Sequence, residues 1–163
     1  MNALKEEILE ILSEDARIPN AKIAIMLGTD ESTVENAIRE MERDHIILKY
    51  TAQVNREKAG DEKVEALIEV RVTPQRDRGF DSIARRIYQF EEVNSVYLMS
   101  GGYDLMVLVC GVNMRQVALF VGEKLSTIEG VLSTATHFVL RKYKSDGVVM
   151  DDEEMDDRLV IQP

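Results

Sequence analysis

The stretch Ala16-Arg17-Ile18-Pro19-Asn20-Ala21-Lys22-Ile23-Ala24-Ile25-Met26-Leu27-Gly28-Thr29-Asp30-Glu31-Ser32-Thr33-Val34-Glu35-Asn36-Ala37-Ile38-Arg39-Glu40-Met41 decides how this chain is read. Ile23, Ala24 and Leu27 share one helical face. Gly28 follows at once, where a helix end takes a left-handed backbone. Asp30 is a good N-cap, because its carboxylate accepts a hydrogen bond from a free N–H of the next first turn. Val34, Ile38 and Met41 then carry a second apolar face. Two short amphipathic helices meeting at a Gly-containing turn make a helix-turn-helix, which lays one helix across the DNA backbone and the next into the major groove. The partner expected from this segment is double-stranded DNA. At the front of the second of these helices, Ser32, Thr33 and Asn36 offer groups that contact phosphate or base edges. Ser32 and Thr33 serve equally to support the helix start. Arg39 reaches a phosphate or pairs with Glu35 four residues earlier. Arg43, just after the helix, and Lys49 are the remaining cations for phosphate contact.

Working outward, Leu4, Ile8, Ile11 and Leu12 recur at helical spacing and predict a first helix from Asn2 to Glu14. After Asp44 the pattern turns β-rich, and Ile46 to Val54 reads as a wing or connecting strand. The first domain is 1–54. Residues 55–63 are polar, contain Gly60 and read as a hinge. Val64, Ala66, Ile68, Val70 and Val72 alternate as in a strand. Phe80, Ile83, Ala84, Ile87 and Tyr88 are helix-spaced. Val93–Met99 and Leu105–Val109 flank Ser100-Gly101-Gly102-Tyr103-Asp104, a hairpin signal. Met114, Val117, Ala118, Val121 and Leu125 form another helix, closed by Gly130, and Val131–Leu140 is a last strand. The order over 64–145 is βαββαβ, a ferredoxin-like domain, so the fold class is α+β. Val107 and Val109 alternate with Met106 and Leu108, apolar on both faces. Two helices cover one face of such a sheet, and the other calls for association, at least into a dimer.

The chain has 163 residues, 45% of them hydrophobic, and a net charge of −10. That sign opposes DNA binding, whose affinity comes largely from Lys and Arg displacing counterions. Part of the excess is an acidic C-terminal tail over 146–163, with Asp151, Asp152, Glu153, Glu154, Asp156 and Asp157. No apolar run approaches the roughly 18–20 residues that span a bilayer, and no secretory signal opens the chain. A cytoplasmic protein that does not touch membranes is expected. Cys110 lies in an apolar run and reads as a small core residue. His45 and His137 lack companions for a metal site. With no phosphate loop, nucleophile elbow or outstanding carboxylate pair, neither enzymatic activity nor a cofactor is expected.

The Gly101-Gly102-Tyr103-Asp104 turn is the candidate ligand site. Glycines let backbone N–H groups approach an anion, and a carboxylate neutralises an ammonium. A free amino acid carries both charges. Thr134 and Thr136 point to one face of the last strand and add hydroxyls. The competing reading is a Gly-rich hairpin whose Asp104 satisfies its own turn.

Taken together, Ala16–Ala24, Glu31-Ser32-Thr33-Val34, Ile46–Ala52, Gly101-Gly102-Tyr103-Asp104 and Val131–Thr136 resemble the Lrp/AsnC (leucine-responsive/asparagine-operon) family of transcription regulators. The resemblance covers nearly the whole chain. It implies a winged helix-turn-helix, an amino-acid-sensing domain of ferredoxin-like fold, and dimers that assemble further into octamers. It also implies an effector pocket between subunits, to which the glycine turn and last strand contribute. Two departures stand out. The recognition helix reads Glu35-Asn36-Ala37-Ile38-Arg39-Glu40 where the family often has adjacent basic residues, and His45 stands where a Gly is common. Siroheme decarboxylases resemble the same two-domain layout with a degenerate helix-turn-helix. They remain an alternative, as does a ligand-binding oligomer that has lost DNA binding.

Overall fold

The computed structural model describes residues 2–73 and 79–150. The chain divides into two compact units between Gln53 and Val54. The first contains α1 (Ala3–Glu14), α2 (Asn20–Leu27) and α3 (Glu31–Arg43). Asn2 caps α1 by accepting the Lys5 N–H at 3.0 Å. Gly28 ends α2 at φ 64, and its N–H returns to the carbonyls of Ala24 and Ile25. The three helices enclose Ile8, Ile23, Ala24, Val34, Ala37, Ile38 and Met41. Ile8, Ile23, Val34 and Met41 are completely buried, each contributing about 1.5–3 kcal/mol.

The wing expected over 46–54 does not form a strand. A strand needs a neighbour to take its backbone groups, and no strand of the described residues pairs with it. Instead, the N–H groups of Ile46 and Ile47 both bond to the Met41 carbonyl, at 2.8 and 3.1 Å. His45 takes φ 58 to make this turn. Ile47 packs against the helical core, while Ile46, Leu48, Tyr50 and Val54 are exposed. The Tyr50 hydroxyl donates to Glu42 Oε1 at 2.9 Å, tying the extended segment to α3.

The second unit is built on β1 (Val64–Val72), α4 (Asp81–Ile87), β2 (Val93–Leu98), β3 (Leu105–Gly111), α5 (Met114–Leu119) and β4 (Val131–Phe138). The sheet order is β2-β3-β1-β4, with every pair antiparallel. This is the ferredoxin-like arrangement. Ala66, Ile68, Val70 and Val72 of β1 and Leu105, Val107 and Val109 of β3 share the buried face with Ile83, Ile87, Val117, Phe120, Val121 and Leu125. After Leu119 the last helix widens into a π-helix, Phe120–Leu125. Phe120, which lies off the expected apolar spacing, is buried, whereas Met114 and Ala118 are exposed. Gly130 holds φ 95, and a Cβ there would stand 2.8 Å from Ile83 Cδ1.

Residues 55–63, expected as a hinge, form turns: Asn55 Oδ1 accepts the Lys58 N–H at 3.1 Å, and Asn55 Nδ2 donates to the Met150 carbonyl at 3.0 Å. The domain does not stop at 145, because β5 (Lys144–Ser145) pairs with β6 (Val148–Val149) across Asp146-Gly147. Both turn residues have positive φ, 47 and 83, as a tight hairpin with a matching twist requires. The acidic cluster Asp151–Asp157 lies outside the described residues.

Candidate nucleic-acid interface and effector site

The front of α3 is organised by Asp30. Its Oδ1 accepts the Thr33 N–H at 2.8 Å, and its Oδ2 accepts the Thr33 hydroxyl at 2.7 Å. The Ser32 hydroxyl donates to the same carboxylate. These bonds, Ser32 first and Thr33 next, hold the Asp30 carboxyl well below the usual carboxylate range. Phosphate oxygens only accept hydrogen bonds. With both hydroxyl protons turned to Asp30, Ser32 and Thr33 have none to offer a phosphate. What they retain is acceptor capacity, which suits the amino edges of cytosine and adenine. Asn36 is exposed one turn further on.

Both arginines of this region meet carboxylates. Arg39 pairs with Glu35 along the helix, and Arg43 Nε lies 2.9 Å from Asp44 Oδ1. The Arg43 pairing pulls the Asp44 carboxyl down. Such exposed pairs are worth about 0–1 kcal/mol, so a phosphate displaces them readily, although the displaced carboxylates stay nearby. Lys5 of α1 holds Glu40 at 2.8 Å, which lowers the Glu40 carboxyl. Lys49 is exposed on the extended segment. The Asp30 clamp on both hydroxyls makes Ser32 and Thr33 supports of the helix start, and an Asp followed by Ser and Thr at two and three residues is its sequence signal.

In the second unit the candidates separate. The Met99 N–H bonds the Asp104 carbonyl at 2.8 Å, closing the glycine turn. Gly101 and Gly102 are exposed, and a Cβ at either would meet nothing within 4 Å. Neither needs a left-handed backbone. Asp104 donates its N–H to the Val70 carbonyl at 3.1 Å, and its Oδ2 accepts the Val72 N–H at 2.8 Å. It therefore extends the β3–β1 ladder past the end of β3, beside a register shift between Arg71 and Val72. Thr134 and Thr136 oppose Val70 and Ile68. That places both threonines on the helix-covered face of β4, an edge strand, with the Thr134 and Ser126 hydroxyls 3.4 Å apart. Asp104 and the glycines occupy the end of the sheet, and the threonines line its edge.

The opposite face carries Leu67, Met106 and Leu108, in register with His137, Glu69 and Leu67 of neighbouring strands. His137 Nε2 sits 3.3 Å from Glu69 Oε1. Cys110 lies on this face as well, opposite Glu65, and not in the helix-packed core. Partial burial pushes its thiol up, with Glu65 adding to the effect. Among the described residues no group of three or more His, Cys, Asp or Glu is placed to hold a metal ion, and no helix is long and apolar enough to cross a membrane.

Comparison with known proteins agrees with this geometry. Residues 1–47 match a winged helix-turn-helix DNA-binding profile, and residues 65–149 match the Lrp/AsnC ligand binding domain. The HTH-type transcriptional regulator YugG of Bacillus subtilis is 49% identical, over 96% of this chain and 95% of its own length. LrpA of Pyrococcus horikoshii is 31% identical over 84% of this chain and 94% of its own. Among solved structures, a Neisseria meningitidis transcriptional regulator in complex with L-Met aligns with a TM-score of 0.71 at 22% identity, covering 89% of this chain and 93% of that one. Escherichia coli AsnC aligns with a TM-score of 0.69 at 23% identity, covering 89% and 95%. The three-helix unit with its capped recognition helix and the βαββαβ unit are thus the two halves of one regulator, and the chain belongs to the Lrp/AsnC family of helix-turn-helix transcription regulators.

Proposed function

We propose that this chain regulates transcription in response to a free amino acid, gripping duplex DNA with α3 and sensing the amino acid at the end of the second unit's sheet. The observation that carries the sensing half is Asp104. Val72 engages one carboxylate oxygen, and the exposed glycine turn leaves an approach to the other. An ammonium at that oxygen meets a charge-assisted bond of about 1.5–3 kcal/mol. Backbone N–H groups at Gly101 and Gly102 are within the same turn, and Thr134 and Thr136 offer hydroxyls along the edge. The relative solved with L-Met supports an amino acid as the ligand class.

The assembly is at least a homodimer. The sheet face bearing Leu67, Met106, Leu108 and the exposed Tyr97 is not covered by the unit's own helices, and a second copy offers the same surface. An amino acid that favours one inter-subunit arrangement changes the spacing of the two recognition helices, which decides whether paired half-sites are gripped. On DNA, Asn36 and the Ser32 and Thr33 oxygens face bases, while Arg39, Arg43 and Lys49 take phosphates. Gel shifts across a salt series test this. Arg39→Ala with Arg43→Ala is expected to weaken binding to all sequences and flatten the salt slope by up to about two contacts. Unchanged affinity and slope would remove α3 from the phosphate contacts.

A further inference from the structure

We infer that Arg71 is the anchor for the carboxylate of the amino acid, an assignment that rests on the sensing role proposed above. Arg71 precedes the residue whose N–H Asp104 holds. Asp104 bonds the residues on either side of Arg71, giving its N–H to the Val70 carbonyl and taking the Val72 N–H, so Arg71 lies between the two residues that Asp104 holds. On its other side it opposes Ser133 of β4. Its side chain lies on the sheet face that the helices leave open, since Val70 and Val72 on either side of it are buried among the helices. The register shift between Arg71 and Val72 falls at this position, and such bulges re-aim a side chain at a sheet end.

The charge pattern sharpens the point. The chain has 30 Asp and Glu against 20 Lys and Arg, and several of its cations, Lys5, Arg39, Arg43, Arg56, Lys124 and Lys142, sit on carboxylates. Arg71 is exposed and has no ion-pair partner among the described residues. Glu69, two positions back on the same face, is turned to His137 instead. Guanidinium groups match a carboxylate with two parallel hydrogen bonds, and the exposed Ser133 hydroxyl across the strand pair is a third donor. Asp104 and Arg71 present opposite charges at the same end of the sheet, one for each charged group of an α-amino acid. This assigns the carboxylate to a side chain on the open face rather than to the glycine N–H groups, and makes a free α-carboxylate a condition of binding.

The experiment uses the full chain. The twenty common L-amino acids are screened by thermal shift. The strongest stabiliser is then compared by calorimetry with its α-amide and with the amine that lacks the carboxyl group. The wild type is expected to bind the amide and the amine at least tenfold more weakly than the amino acid. Arg71→Ala is expected to lose tenfold or more for the amino acid while binding the amine within about twofold of wild type, with Arg71→Lys intermediate. Arg71→Gln gives a second neutral variant of similar bulk, and circular dichroism melts establish that each variant is folded. Arg71→Ala and Arg71→Gln binding the amino acid as wild type does would overturn the assignment and leave the sensing role standing. If no amino acid stabilises the wild type, the sensing role fails, and Arg71 with it.

Discussion

Two aspartates close turns in this protein, and they differ in how far they reach. Asp30 takes the N–H of Thr33, three residues on. Asp104 takes the N–H of Val72, thirty-two positions away in the chain. The first is an N-cap whose partner follows from helix geometry alone. The second exists only because β1 and β3 are paired in one particular register. The same side chain thus performs a local task in the helical unit and a long-range one in the sheet unit. Left-handed backbone shows a parallel contrast. Gly130 at φ 95 sits against a buried isoleucine of another element, whereas His45 at φ 58 makes an exposed turn after α3.

The largest effect is expected where long-range packing and backbone conformation coincide. Gly130→Ala combines a strained φ with a Cβ contact on Ile83, and should destabilise the second unit by about 2–4 kcal/mol. Denaturant unfolding followed by a probe in each unit should show the loss in the second and leave the first unmoved. Equal loss in both units would mean that they unfold together and would break the contrast.

Asp104→Ala comes next. It leaves the Val72 N–H unpaired at the end of the sheet, a cost of about 1–3 kcal/mol. Hydrogen exchange at the Val72 amide should accelerate selectively. Asp104→Asn keeps an oxygen acceptor and should restore much of that protection, yet it removes the counter-charge for an ammonium. If Asp104→Asn binds the amino acid as tightly as wild type, the residue is structural only.

Asp30 gives a smaller effect, visible in its pH dependence. Its folded-state pKa is depressed, so its contribution is present above the ordinary carboxylate value of about 3.9 and is lost as pH falls through the depressed value. Asp30→Asn still caps the helix but does not titrate. Exchange of the Thr33 amide should therefore be similar in the two proteins near neutrality, and only the wild type should lose protection on acidification below about pH 4. The same acid response in both would assign the loss to other carboxylates. Smallest of all, His45→Gly relieves a left-handed backbone on a residue with a Cβ. A gain of up to about 1 kcal/mol is expected, read as a higher unfolding midpoint for the first unit. A fall instead would show that the contact between His45 Nδ1 and the Arg43 carbonyl, at 3.1 Å, outweighs the strain.

How much of this was visible beforehand follows the same division. The periodicities of Ile23, Ala24, Leu27, Val34, Ile38 and Met41, the Gly28 stop and the Asp30 cap all concern neighbours within one turn, and their consequences appear in the structure. The alternation from Val64 to Val72 likewise marks β1 and its buried face. The segment from Ile46 to Val54 shows where such reasoning stops. Its β-rich composition favours a strand, but a strand is a relation between two segments, and the described chain supplies no second one. The π-helix that buries Phe120 is likewise a product of packing against the sheet rather than of helical spacing.

The sequence by itself determined the helix-turn-helix, the order of strands and helices, and the residues able to carry charge or hydroxyls at each end, because those depend on side-chain chemistry and on backbone geometry over a few residues. Only the tertiary structure decided which of them meet. Antiparallel register set Asp104 on Val72 and beside Arg71, and turned Thr134 and Thr136 to the helix side while Ser133 faced the other way. The physical reason is the two-residue period of a strand: shifting register by a single residue exchanges its faces, and no local pattern fixes that choice between segments thirty residues apart.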